Sequence, residues 1–245
     1  MIKFFRRIRQ KLLSENKFSK YLLYALGEII LVVIGILIAL QINTWNGNKN
    51  NRAKEQLYLT SFQNDMQLNL AELDRVIEKS SQTIGTTDSL LRYADGQLEI
   101  KSIKQVQDLV IGTGSYTFFF GAEGTIKDIF GSGDLGLVQN DSIRKAMVNW
   151  EADLKYLKEY ETLGKDNQLS FINYLKEEIP MYKYALKKDF LDAETVEKIM
   201  SETKFLNLVG EQKHMAKEMN GLYLEQKAKM THLLGQISNN LEKHD

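Results

Sequence analysis

From Tyr21 to Ile42 the chain reads YLLYALGEIILVVIGILIALQI, and Glu28 is the one charged side chain in those 22 residues. As a helix rising 1.5 Å per residue the stretch covers about 33 Å, enough to cross the hydrocarbon core of a bilayer. The flanks set its direction. Residues 1–20 carry seven bases (Lys3, Arg6, Arg7, Arg9, Lys11, Lys17, Lys20) against one acid, Glu15, whereas the twenty residues beyond the span hold only Lys49, Arg52 and Lys54 as bases. Short basic flanks stay in the cytoplasm, so the expected topology places the N-terminus inside and the large C-terminal part outside. Tyr21, Tyr24 and Trp45 fall where interfacial aromatics are expected.

A cleaved signal peptide would need a shorter apolar core of about 7–15 residues and a small-residue cleavage site. This stretch is longer and runs into Leu40-Gln41-Ile42-Asn43-Thr44-Trp45. It reads as an uncleaved signal-anchor. The formal charge of zero is split, +6 in residues 1–20 and −6 in the rest. An acidic external part has no electrostatic footprint for nucleic acid. The arm instead suits anionic headgroups. Ile2, Phe5, Ile8 and Leu12 share one helical face, and Lys3, Arg6, Arg7, Arg9 and Lys11 supply the charge for the membrane surface.

The block KFFRRIRQKLLSENKFSKYLLYALGEIILVVIGILIALQINTWN, Lys3 to Asn46, resembles the opening of a family of uncharacterised single-pass membrane proteins of Gram-negative bacteria. A weaker similarity recurs in TIKDIFGSGDLGLVQNDSIRKAMVNW, Thr125 to Trp150. The resemblance implies a location, the inner membrane, and a plan: a cytoplasmic arm (1–20), a transmembrane helix (21–43) and a periplasmic helical domain (44–245). It implies no activity and no cofactor.

Periodicity makes the external part all-α, a helical bundle. Leu59, Phe62, Met66, Leu70, Leu73 and Ile77 recur at three- and four-residue steps on a helix from near Arg52 to Ser80. Only Gly47 stands between that helix and the span. Asn140-Asp141-Ser142 caps a second long helix that stops before Pro180 and buries Met147, Trp150, Leu154, Leu157 and Tyr160. Asp192 opens a short helix with Val196, Ile199 and Met200. A last helix, Lys204 to Leu241, carries Leu208, Met215, Met219, Leu222, Met230, Leu233, Ile237 and Leu241 near heptad spacing. Gln212 and Gln226 interrupt that seam, favouring a globular bundle over a long coiled coil. Between Thr86 and Asn140, glycines punctuate short helices around Ile103–Ile111 and Thr125–Phe130.

Few residues point to chemistry. Gly131-Ser132-Gly133-Asp134-Leu135-Gly136 fits G-x-G-x-x-G, but it follows an amphipathic helix and not a buried strand, so it reads as a helix C-cap and turn. His214 and His232 stand five turns apart, about 27 Å, and cannot share a metal within one helix. They read as solvated, and no metal ligand set is assigned. With no cysteine there is no thiol nucleophile or disulfide framework. The chain is read as a non-enzyme.

Two places remain as candidate sites. Glu28 lies about 10 Å inside the span, where a carboxylate is costly, and Gly35 and Ala39 offer a small-residue surface with Gly27 a little round the same side. These four residues are the expected contact with another membrane protein or with a second copy of the span. Tyr116, Phe118, Phe119 and Phe120 form the densest aromatic cluster, read either as a core plug or as a docking loop or pocket lining. The function expected is a membrane-anchored periplasmic interaction module, an adaptor or accessory subunit. A ligand-sensing bundle acting through a separate signalling partner is the alternative.

Overall fold

The computed structural model of the chain describes residues 18–242. Helix α1 is Phe18–Ala94, α2 is Ile103–Thr113 and α3 is Gly124–Ser132, followed by a 3-10 turn at Asp134–Leu137. Helix α4 is Asp141–Glu178, α5 is the single turn Tyr182–Ala185, α6 is Ala193–Ser201 and α7 is Thr203–Glu242. Among the described residues there is no strand, and the all-α expectation is met. Two compact units divide between Glu55 and Gln56. The basic arm with Lys3, Arg6, Arg7, Arg9 and Lys11 lies outside the described residues, as does His244.

In the first unit, α1 contains an 18-residue window of mean hydropathy 2.7, none of it buried against the rest of the protein. A core helix this apolar would be covered by its own chain. This N-terminal helix is long and apolar enough to span a membrane. Gly47 lies within α1, as expected, since one glycine costs a helix only about 1 kcal/mol.

In the second unit three long segments pack together: residues 56–94 of α1, α4 and α7. Lys227 pairs with Asp74 at 2.5 Å, Asn220 donates to the Ile77 carbonyl at 3.1 Å, and Lys213 pairs with Asp88 at 2.6 Å. Numbers fall along α7 as they rise along α1, so the two are antiparallel. The pairs Asp153–Lys229 and Glu161–Tyr223 make α4 and α7 antiparallel as well. Residues 56–94 and α4 therefore run the same way, and α2 and α3 lie in the crossover that this topology demands. One hydrophobic cluster holds Leu59, Phe62, Met66, Met147, Trp150, Tyr223 and Ile237; a second holds Leu90, Phe171, Leu175, Phe190 and Phe205.

Several details depart from the expected elements. Helix α1 runs on to Ala94, past Ser80, although Thr83, Thr86, Thr87 and Ser89 are poor helix formers. Their hydroxyls donate back to carbonyls one turn earlier, Thr87 to Thr83 at 2.8 Å and Ser89 to Gly85 at 2.8 Å, so they stay satisfied inside the helix. Leu90 then anchors the extension in the second cluster. Leu70 and Ile77 sit at the margin of the core, while Val76 and the polar Asn69 are buried. Gln212 and Gln226 do interrupt the α7 seam, and both are buried in it.

The caps follow the expected chemistry. Asn140 accepts from the amides of Ser142 and Ile143 at 3.0 and 3.2 Å, and Asp192 accepts from Thr195 at 2.8 Å. Gly133 caps α3 at φ +74, the left-handed turn read from the glycine motif. After α5 the Lys188 amide donates to the Lys183 carbonyl and the Lys187 amide to that of Tyr184, at 3.0 and 2.9 Å. This is the Schellman pattern, with Lys187 at φ 55 in the position usually taken by glycine. A left-handed conformation costs such a residue about 1–2 kcal/mol.

Candidate functional site

Residues 115–123 cross from α2 to α3 as a strap along α1; three α1 side chains hold its backbone and a fourth holds the first turn of α3. Asp65, Asn69, Glu72 and Arg75 recur at three- and four-residue steps and so share one face. The Asp65 carboxylate accepts from the Thr125 amide at 2.9 Å. Asn69, fully buried, accepts from the Ala122 amide at 2.5 Å and donates to the Ala122 carbonyl at 3.0 Å. Glu72 accepts from the Phe120 amide at 3.1 Å, and Arg75 donates to the Phe118 carbonyl and the Thr117 hydroxyl at 2.8 and 3.0 Å. Arg75 also grips Glu72 at 2.8 Å, which holds the Glu72 carboxyl below the usual carboxylate range. Apart from the Arg75–Glu72 pair, each bond runs between chain segments at least 42 residues apart.

The strap is fixed from its other side by Glu161 of α4, only 4% exposed. Its Oε1 accepts from the Phe119 amide at 2.7 Å and from the Tyr223 hydroxyl of α7 at 2.8 Å. Burial pushes this carboxyl above the usual range, against the opposing pull of those two donors. Burial likewise pushes the Tyr223 hydroxyl up, with Glu161 beside it adding to the effect. Tyr116 donates to the Glu161 carbonyl at 2.6 Å. Its ring occupies the space a side chain at 164 would need: a Cβ on Gly164 would stand 2.7 and 2.8 Å from Tyr116 Cε2 and Cζ. A glycine inside α4 is accounted for by that close approach.

An extended segment sends alternate side chains to opposite sides, and the aromatic cluster divides that way. Phe119 is buried edge-on against Trp150 with ring centroids 6.3 Å apart, which is the core plug. Phe120 is 75% exposed, and Phe118, half-buried, lies 6.3 Å from it. Leu68, one helical turn before Glu72 on α1, is exposed too. Tyr116 is half-buried and packs edge-on against Phe118 at 4.7 Å. The cluster thus places one ring, Phe119, in the core and one, Phe120, in solvent.

The membrane-helix candidates lie in the first unit. Gly27, Glu28, Gly35 and Ala39 all belong to α1, and Cβ atoms built on Gly27 and Gly35 would meet open space. His214 and His232 are exposed, in keeping with solvated side chains.

Sequence reasoning passed over Asp65, Asn69, Glu72, Arg75, Glu161 and Gly164. The available signal was Asn69, a polar residue on the apolar side of a helix between Met66 and Leu73, and Gly164 in the interior of a long helix.

A family profile described as "Family of unknown function" (DUF6090) matches residues 28–174, which take in the strap, Glu161 and Gly164 but not Tyr223. No curated protein and no solved structure matches the chain. Since the profile covers more than half of the 245 residues, the chain belongs to this family of unknown function, DUF6090.

Proposed function

We propose that the chain is a membrane-anchored interaction module, an adaptor or accessory subunit, whose helical domain lies in the periplasm of a Gram-negative cell and binds a protein partner through the aromatic strap. The supporting observation is an exposed aromatic on a rigid frame. The Phe120 ring is offered to solvent while its own amide, and those of Phe119 and Ala122, are each held by a side chain of α1 or α4. A preformed anchor loses little conformational entropy on binding, and exposed aromatics of this kind dominate interface energetics. The anchoring helix, entering from a cytoplasmic basic arm, would hold the module at the inner membrane and add contacts through Gly27, Glu28, Gly35 and Ala39.

Co-purification from gently solubilised membranes tests this. Phe120→Ser should lose the partner while leaving the fold intact, because the ring contributes little to the core. Retention of every partner by Phe120→Ser would reject the strap as the docking element.

A pocket favours a second reading, ligand sensing. A half-open cavity of about 350 Å³ lies over Met66, Trp150, Met230 and Leu233, with Asp153, Lys229, His232 and Gln236 around it. Its size falls in the range of small-molecule sites. A small molecule retained through native purification, and lost on Ala146→Trp at the cavity wall, would move the assignment to a sensor. No catalytic role is proposed for any residue.

A further inference from the structure

The turn between α4 and α6 carries a surface of a different kind. Within Met181–Lys188, Tyr182, Tyr184 and Leu186 are 66%, 50% and 59% exposed, interleaved with Lys183, Lys187 and Lys188. Lys187 and Lys188 are exposed, as are Asp189, which accepts from Gln107 at 3.5 Å, and Asp192, which caps α6; over residues 181–192 the bases Lys183, Lys187 and Lys188 outnumber these two acids. Lys187 also holds the left-handed turn position that glycine would fill without strain.

Interfacial tyrosines and a leucine beside solvated lysines match the chemistry of an anionic lipid surface: apolar bodies enter the headgroup boundary and ammonium groups meet lipid phosphates. We propose that this tip binds an anionic lipid surface.

The test uses the full chain in nanodiscs of phosphatidylcholine alone, mixed with vesicles of equal parts phosphatidylcholine and phosphatidylglycerol and separated by flotation. Wild type should float with the vesicles, less so as salt rises, and not with vesicles of phosphatidylcholine alone. Lys187→Glu with Lys188→Glu should weaken binding at least roughly tenfold, and Tyr182→Ser with Leu186→Ser should weaken it severalfold. Circular dichroism should stay unchanged in both, since these side chains lie outside the core. Failure of wild type to float overturns the proposal. Equal flotation of the Lys187→Glu, Lys188→Glu variant also overturns it, because the basic arm or another surface would then carry the binding. The Phe120→Ser variant should float like wild type, which separates this tip from the protein-docking strap.

Discussion

Replacing Glu161 separates its charge from its hydrogen bonding. Glu161→Ala removes the acceptor of two buried donors, the Phe119 amide at 2.7 Å and the Tyr223 hydroxyl at 2.8 Å. Each orphaned donor costs about 1–3 kcal/mol, partly offset because a carboxylate no longer has to be desolvated, so a loss of about 2–4 kcal/mol is expected. Glu161→Gln keeps a carbonyl acceptor for both donors and removes the ionisable group, so its stability should lie within about 1 kcal/mol of wild type. The pH dependence separates the two further. Since burial raises the folded-state pKa of Glu161, the native state binds more protons than the unfolded chain above the ordinary carboxylate range. Stability from this group is fully present below the unfolded value and is lost as pH rises through the folded one. Glu72 and Glu123, lowered by Arg75 and by Lys158 with Lys127, act the other way: their contribution is present above the ordinary value and fades as pH falls through the lowered one. Glu161→Gln should abolish the decline on the alkaline side and leave the acid side unchanged. Urea unfolding of the full chain in mild detergent, followed by circular dichroism across that range, measures both effects. Equal destabilisation by Gln and Ala would refute the reasoning, because the charge and not the acceptor would then hold the strap.

Three further outcomes are expected. Gly164→Ala should destabilise by about 1–3 kcal/mol in the same assay despite alanine's better helix propensity, because its Cβ would stand 2.7 Å from the Tyr116 ring; a stabilised variant would mean that the strap yields easily. In membrane crosslinking, Glu28→Leu and Gly35→Ile should both weaken association, with Glu28→Gln milder, since hydrogen bonds between membrane helices contribute roughly 0.6–2 kcal/mol. Wild-type crosslinking by Glu28→Leu and Gly35→Ile would reduce the span to an anchor. A reporter active only outside the cytoplasm should work after Asp245 and fail at the N-terminus; the reverse pattern would overturn the topology.

The helices were legible because core burial imposes a period: Phe62, Met66 and Leu73, or Met147, Trp150 and Leu154, mark their own faces. The end of α1 was not, since Thr83 to Ser89 solve their hydroxyl problem by local back-bonding that periodicity does not register. The aromatic cluster stood out by composition, yet only its extended backbone assigns Phe119 to the core and Phe120 to solvent. The frame was the least visible part. Asp65, Asn69, Glu72 and Arg75 look like any solvated helical face until residues 117–125 are laid along them, and that pairing spans tens of residues. Glu161 is one acid among many on a lysine-rich helix, and nothing local distinguishes it. Its burial is a tertiary fact.

The most direct test places a photo-crosslinking amino acid at position 120 in the full chain and irradiates intact membranes. The account expects one discrete adduct with a protein partner, lost when Glu161→Ala loosens the strap and retained with Glu161→Gln. No protein adduct from position 120, or an adduct pattern indifferent to Glu161→Ala, would contradict the claim that the strap is a preorganised docking surface.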